Sequence, residues 1–323
     1  MYFRSLMIAA IAAGVLAAAP AGAQSWPNKP ITLIVPFPPG GGTDAFARPL
    51  SAQLTKQLGR QVIIDNRGGA GGTVGASLAA KAPPDGYTFF VGAVHHAIAP
   101  SFYPKLDYNI ETDLVPLTVI ANPPQVVVIN PGRVKVDDFK AFMTLLRANP
   151  GKLNYASAGN GTSHHLAGEL FKQQSNTFIV HIPYRGAGPA LQDLITGNVD
   201  MMFDGLGSSA QHIRSGRIKA LAVAAPKRSP AFPNVPTSAE VGLPDYVVST
   251  WYGVWGVKGT PKEILDRMHA EIVKAVGSPE LKDIWASNGS DTATMSQQDF
   301  AKFLNSEIKR WAAVTKSSGA KLD

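Results

Sequence analysis

Residues 31–44 read ITLIVPFPPGGGTD and decide the fold, because they join an apolar strand to a helix through a glycine-rich turn. Ile31 to Val35 is a run of apolar, mostly β-branched residues that predicts a strand ending at Pro36. From Thr43 to Leu58 apolar residues recur at helical spacing, and Pro49 predicts a kink. A strand followed by a helix is the unit that builds parallel sheets covered by helices.

The same alternation continues along the chain and predicts an α/β protein. A strand-like stretch from Leu114 to Asn130, interrupted at Asn122-Pro123-Pro124, predicts a first crossing between two lobes, and Arg217 to Ala224 predicts the return crossing. The length exceeds one ordinary core, which favours two lobes, each a sheet covered by helices, with the two crossover strands as a hinge. We expect lobe 1 at 24–125 plus 225–323 and lobe 2 at 126–224. The other predicted elements are strands at 61–65, 87–91, 153–157, 178–183, 201–203 and 251–257 and helices at 74–82, 136–148, 164–174, 189–196, 261–276, 279–286 and 297–317.

The N-terminus predicts export. Arg4 precedes an apolar run from Leu6 to Ala19, and small residues at 21–23 favour cleavage before Gln24, which is typical of a signal peptide at residues 1–23. The alternative, a membrane anchor, would need about 20 apolar residues. The sequence has no cysteine, which excludes a lipid-bearing cysteine and disulfides. We therefore expect a free chain in the periplasm.

The charge balance favours small anions over nucleic acid. Thirty Lys and Arg residues against 23 Asp and Glu give +7, and removal of Arg4 with the signal peptide leaves +6. The basic residues are scattered without a run of five, so no nucleic-acid partner is expected. A mild positive excess attracts small anions instead.

Two glycine-rich loops, each between a strand and a helix, are the candidate binding elements. In the first, Phe37 to Asp44, the glycines allow close approach of a ligand, and the free N–H groups of a helix start favour an anion. The alternative is a tight turn in which Thr43 or Asp44 caps the helix. The second loop, Ser157 to His164, has the same character in the other lobe. Facing each other across a cleft, the two loops would hold carboxylates.

The other glycine-rich and strand-end segments carry weaker indications. Residues 92–96 follow a strand and could add donors to the side wall. The run 66–72 lacks the third glycine of a dinucleotide fingerprint and is interpreted as a structural turn, and no Gly-Lys-Ser/Thr follows the first loop, so no nucleotide cofactor is expected. Arg185 offers a cation to a ligand carboxylate or is a surface charge. Asp204 accepts a hydrogen bond from a ligand or caps the next helix.

An enzymatic alternative rests on His164, His165 and Glu169, which could serve a hydrolase or a metal-dependent enzyme. His165 and Glu169 are one helical turn apart, but no third zinc ligand has a recognisable spacing. Neither a G-x-S-x-G elbow nor a His-Glu-x-x-His motif is present in the sequence. Capping and surface roles are therefore favoured, and no metal or catalytic residue is assigned.

A set of motifs, in order along the chain, resembles the Bug-type, TctC-like periplasmic receptors of tripartite tricarboxylate transporters. The likeness covers essentially all of the chain after the signal peptide. The motifs are Trp26-Pro27; Pro36 to Gly41 with Asp44 and Arg48; Asn66-Arg67 with Gly69 to Gly72; Asp85-Gly86-Tyr87; Ser157 to Thr162; His181 to Gly186; Leu221-Ala222-Val223 with Arg228-Ser229; and Val235-Pro236-Thr237 with Glu240 and Gly242.

The resemblance implies a type II-like two-lobed binding-protein fold that closes on its ligand and a solute-binding receptor rather than an enzyme. The implied ligand is a small organic acid, a mono- or dicarboxylate including aromatic acids, delivered by a monomer to separate membrane transporter subunits. Val94-His95-His96 departs from the small hydroxyl-rich residues expected there, which favours an aromatic, hydroxylated or more acidic ligand. The expected binding residues are Phe37, Pro39, Gly40, Gly41, Gly42, Thr43, Asp44, Val94, His95, Ala158, Gly159, Asn160, Gly161, Thr162, Ser163, His164, Arg185 and Asp204.

Overall fold

A computed structural model describes residues 26–320 and contains two five-stranded sheets covered by helices. The predicted signal peptide at residues 1–23 lies outside the described residues. This architecture confirms the predicted α/β fold class. Within 26–320, no helix is long and apolar enough to cross a membrane.

The first sheet has the strand order β2-β1-β3-β10-β4. Strands β1 and β2, and β1 and β3, pair in parallel, whereas β10 is antiparallel to both neighbours. The late strand β10 thus returns the chain to the sheet in which it began. The strands are β1 Ile31–Val35, β2 Val62–Asn66, β3 Thr88–Ala93, β4 Leu114–Ala121 and β10 Tyr252–Val257.

The second sheet has the order β7-β6-β8-β5-β9 and repeats this plan. Strand β6 is parallel to β7 and β8, and β5 is antiparallel to β8 and β9. In each sheet the parallel strands carry their loops to one edge, which is where ligands bind in open α/β sheets. The strands are β5 Gln125–Ile129, β6 Asn154–Ser157, β7 Val180–Pro183, β8 Met201–Gly205 and β9 Lys219–Val223.

Ten α-helices cover the sheets within the described residues. They are α1 Gly42–Leu58, α2 Thr73–Ala80, α3 His95–Phe102, α4 Phe139–Ala148, α5 Ser163–Ser175, α6 Ala187–Thr196, α7 Leu206–Arg214, α8 Lys262–Val276, α9 Pro279–Ser287 and α10 Gln297–Ser318. Helices α3 and α7 were not predicted from the sequence. Both helices begin directly at a strand end and have eight or nine residues, so their periodicity is too short to distinguish them from a loop.

The first crossing has the predicted interruption, whereas the return crossing differs from the prediction. The stretch Leu114 to Asn130 forms two strands, β4 and β5, separated by residues 122–124, where two prolines interrupt the ladder. The return does not run through β9, which is an edge strand of the second sheet, but through the segment after it. Residues 247–250 of that segment run beside 122–125, with Gln125 N–H donating to Val248 O at 2.9 Å and Thr250 N–H to Pro123 O at 3.0 Å. We call residues 122–125 and 247–250 together the hinge crossing.

Three apolar clusters stabilise this arrangement. One packs under the first sheet around Phe46 and Trp285, and one under the second around Leu191 and Leu206. The third and largest includes buried side chains of both sheets, among them Trp255. Burial of this common cluster holds the two sheets beside each other around the hinge crossing.

Candidate functional site

The two predicted loops, loop 1 (residues 37–44) and loop 2 (residues 157–164), line one small central cavity. Loop 1 contributes from the start of α1, and loop 2 from the strand end before α5. The residues that line the central cavity are Phe37, Gly41, Gly42, Thr43, His95, Ala158, His164, Ala187 and Tyr252. Both sheets therefore supply walls to one enclosed site.

Loop 1 is held in shape by the carboxylate of Asp44. Its Oδ2 accepts hydrogen bonds from Gly40 N–H at 3.1 Å and from Arg48 Nε at 2.7 Å, and its Oδ1 accepts one from Asn66 at 3.2 Å. Asn66 also donates to the Phe37 carbonyl at 2.8 Å. Asp44 is thus a positioning residue of the loop and does not line the cavity. The N-terminal N–H groups of α1 have no acceptor within the helix and form a positive end beside the cavity.

Loop 2 ends at a conventional helix start. Thr162 is the N-cap of α5, and its hydroxyl accepts from His165 N–H and donates to Gly159 O at 2.7 Å. Gly159 and Gly161 have φ values of 126° and 70°, which favour glycine. The loop thereby directs the start of α5 at the same cavity as the start of α1.

His95 links the two loops. Its Nδ1 accepts a hydrogen bond at 3.1 Å from the backbone N–H of Ser163, which lies in the other sheet's loop. Its ring packs edge-on against Phe37 at 5.2 Å and against His164 at 5.4 Å between centroids. Burial, followed by the proximity of His164 and His96, holds the pKa of His95 well below its usual value. A neutral ring with Nδ1 as acceptor leaves its Nε2–H available as a donor.

His164 faces the carboxylate of Asp204, and both are buried. His164 Nε2 lies 3.6 Å from Asp204 Oδ1, too far for a hydrogen bond, while Ser208 and Ser209 donate to Oδ2 at 2.7 and 2.6 Å. Burial lowers the pKa of His164, and Asp204 partly offsets that effect. Asp204 Oδ1 and both ring nitrogens of His164 have no hydrogen-bond partner among residues 26–320.

Two side chains at this site, Gln125 and Tyr252, were not predicted from the sequence. Gln125 lies at the start of β5 and donates from Nε2 to Ser163 Oγ and Thr250 Oγ1, both at 3.1 Å. Tyr252 places its hydroxyl so close to Gly42 that an added Cβ there would lie 1.9 Å from it. Burial, reinforced by Asp204, raises the pKa of Tyr252, so its hydroxyl stays a donor. Only Gln125, a lone polar residue in an apolar strand, left a signal in the sequence.

Several predicted binding residues do not line the central cavity. Pro39, Gly40 and Arg185 are exposed, and Val94 is fully buried in the common apolar cluster. Asn160 accepts from Tyr103 Oη at 2.8 Å through its carbonyl, which is a second contact between the two sheets' loops. The predicted residues that the structure brings together at the cavity wall are Phe37, Gly41, Gly42, Thr43, His95, Ala158 and His164.

The predicted enzymatic set is not assembled as a group of three, because His165 Nε2 lies 3.9 Å from Glu169 Oε1 but His164 points elsewhere. His165 lies with its ring stacked on His181 at 4.0 Å and accepts from Gly161 N–H at Nδ1, whereas His164 faces Asp204. Glu169 accepts from Tyr155 Oη and Lys172 Nζ, each at 2.7 Å. Within 26–320, no group of three His, Asp or Glu side chains is placed to hold a metal ion.

The chemistry of the cavity suits an anion with polar ends. Two helix starts, the Tyr252 hydroxyl and the His95 ring supply donors, and Asp204 supplies an acceptor behind His164. The centre of a water-sized sphere can occupy only about 10 Å³ of the cavity, about enough for one water. The cavity in this conformation therefore has no room for an organic acid.

A family model described as "Tripartite tricarboxylate transporter family receptor" matches residues 46–320. Among curated proteins, BugT of Bordetella pertussis is 38% identical over 307 residues, which cover 94% of each chain. These matches agree with the family expected from the sequence motifs.

Solved structures show the same fold. An R. palustris protein solved with adipate is 35% identical with a TM-score of 0.88 and covers 92% of this chain and 100% of its own. MatC from Rhodopseudomonas palustris, solved with bound malate, is 32% identical with a TM-score of 0.83, over 90% and 99% of the two chains. The two-lobed binding-protein architecture is thereby confirmed.

Proposed function

The chain belongs to the tripartite tricarboxylate transporter receptor family, and from this premise we propose that it captures a small mono- or dicarboxylate in the central cavity. The two lobes then close, and the receptor delivers the acid, chemically unchanged, to separate membrane transporter subunits. We propose that the chain is exported to the periplasm with cleavage of residues 1–23 and acts there as a monomer. Relatives solved with adipate and malate support the ligand class.

The observation that carries this proposal is the meeting of two helix starts at one cavity. A carboxylate accepts hydrogen bonds from backbone N–H groups and is stabilised by the positive ends of helices. Here α1 and α5 come from different sheets, so one ligand that contacts both ties the lobes together. His164 and Asp204 add a hydrogen-bonding side that suits a second polar end, such as a hydroxyl or another carboxyl group.

Ligand screening tests the proposal. The purified mature chain is melted with mono-, di- and tricarboxylates, aromatic acids, amino acids and metal ions, and any acid that raises the midpoint is titrated calorimetrically. We expect binding of one class of carboxylate and recovery of the acid unchanged. A shift with metal ions alone, or consumption of the acid, would overturn the receptor assignment.

Two glycine variants localise the binding. Gly42→Ala puts a Cβ 1.9 Å from the Tyr252 hydroxyl, which displaces a cavity wall and should weaken binding. Gly277→Ala is the matched control, because its φ is −76° and an added Cβ lies 3.2 Å or more from the nearest atoms. Equal affinities in the two variants would place the ligand elsewhere.

A further inference from the structure

A second cavity, of about 510 Å³, lies at the hinge crossing and is not part of the central cavity. We call it the back pocket. Its size falls within the range of small-molecule sites. The apolar part of its lining includes Pro124, Ala224, Ala225, Pro226, Val247 and Ala286.

The back pocket and the central cavity lie on opposite faces of the hinge crossing. Pro124 pairs with Ser249 in an antiparallel bridge, and both line the back pocket. Side chains alternate between the faces of paired strands. Gln125 and Thr250, the next residues along each strand, accordingly point the other way and hydrogen-bond to each other beside Ser163 of loop 2.

The walls of the back pocket belong to different lobes. Residues 224–230 follow β9, and Phe232 just beyond them packs in the cluster of the second sheet. The opposite wall, residues 286–291, follows Trp285 of α9, which packs in the cluster of the first sheet and donates to Ile120 O at 2.6 Å. A rotation about the hinge crossing that opens the central cavity must change the distance between these walls.

The charges of the lining indicate the chemistry of an occupant. Lys227 lies on one wall and Asp291 on the other, both exposed, and neither forms an ion pair with another residue in 26–320. Arg228 is already engaged, since its Nε contacts both oxygens of Glu240 at 2.9 and 3.1 Å. A small zwitterion with an apolar body would pair its carboxylate with Lys227, its ammonium with Asp291, and its body with the prolines and alanines.

We propose that the back pocket is an effector site for an apolar amino acid such as leucine, and that its occupation favours the closed central cavity. Lys227 and Asp291 line the back pocket together in the conformation in which the central cavity is nearly filled. A ligand that binds one conformation more tightly shifts the population toward it. By linkage, leucine at the back pocket would raise the affinity of the central cavity for its solute.

Cysteine protection tests the site directly, because the protein has no cysteine of its own. Ser249→Cys places a thiol in the back pocket, and Ser306→Cys places one on the exposed face of α10 as the control. At a concentration ten times its Kd, leucine should slow alkylation of the back-pocket thiol by N-ethylmaleimide about tenfold and leave the control thiol on α10 unaffected. Lys227→Ala and Asp291→Ala in the Ser249→Cys chain should each weaken this protection.

Three results would overturn the proposal in separate ways. If neither leucine nor phenylalanine protects the thiol, the back pocket is not an amino-acid site. If isocaproate, which lacks the ammonium group, protects it equally well, the pocket does not select a zwitterion. The coupling is tested with Gly188→Val, because a Cβ at Gly188 would lie 2.2 Å from the Pro39 carbonyl oxygen of the other lobe and hold the lobes apart. Unchanged protection by leucine in that variant would show that the back pocket is not coupled to closure of the central cavity. None of these readouts requires that the central cavity bind an acid.

Discussion

His95 and His96 are neighbours in the chain with different surroundings. The His95 ring lines the central cavity, whereas Nδ1 of His96 lies 3.0 Å from both N and O of Ala93 and Nε2 lies 3.4 Å from Gly72 O. We expect His95→Ser to change the affinity order of a carboxylate panel, because it removes a ring from the cavity wall. His96→Ser should lower the free energy of unfolding and keep that order. Calorimetric titration and urea unfolding distinguish the two, and an unchanged order in His95→Ser would exclude His95 from ligand selection.

The buried ring of His96 also makes stability depend on pH. Burial lowers its pKa to about 4, and hydrogen bonds to Ala93 and Gly72 oppose that shift only in part. The unfolded chain binds this proton near pH 6.5 and the folded chain only near pH 4, so acidification favours unfolding over that interval. The expected loss is up to about 3 kcal/mol. Urea unfolding at several pH values should show a shallower dependence in His96→Gln, and parallel curves for the two proteins would contradict this origin.

The start of α6 lies against loop 1 of the other lobe. This contact limits how close α6 and loop 1 can come to each other. Gly188 has room only for hydrogen, since a Cβ would lie 2.2 Å from Pro39 O. We expect Gly188→Ala to weaken solute binding by about five- to 150-fold, the equivalent of a 1–3 kcal/mol steric cost, without contacting the ligand. Its melting temperature without solute should match that of Gly277→Ala. Wild-type affinity in Gly188→Ala would show that this contact does not limit closure.

The sequence predicted elements better than it predicted the roles of their residues. Strand β1, loop 1 and α1 were predictable because β-branched residues, glycines and helical spacing follow one another at 31–58. Asp44 was expected to bind the ligand, but it holds Gly40, Arg48 and Asn66. Tyr252 reaches the cavity from the other end of the chain, and such a contact leaves no local pattern. Backbone N–H donors at a helix start likewise leave no signal in the sequence that indicates which acid they bind.

At the scale of the whole molecule, we expect closure to depend on polar atoms that are buried between the lobes. Both ring nitrogens of His164, Oδ1 of Asp204 and Oε1 of Gln125 are enclosed there without a partner among residues 26–320. Each buried polar atom without a hydrogen bond destabilises the closed state by about 1–3 kcal/mol. Opening the lobes would expose these atoms to water. We therefore expect the chain to be open without solute and to close when a carboxylate supplies partners for these atoms.

Small-angle scattering measures this closure as the radius of gyration. Adding the acid found by screening, with adipate and malate first, should compact the wild-type chain, because the ligand replaces water at the enclosed atoms and contacts the starts of both α1 and α5. Gly188→Ala should stay more expanded at an acid concentration that saturates it, since its added Cβ meets Pro39 O before the loops reach their closed spacing. Equal radii with and without a bound acid would mean that the unliganded lobes are already closed, and the enclosed polar atoms would then not control the opening.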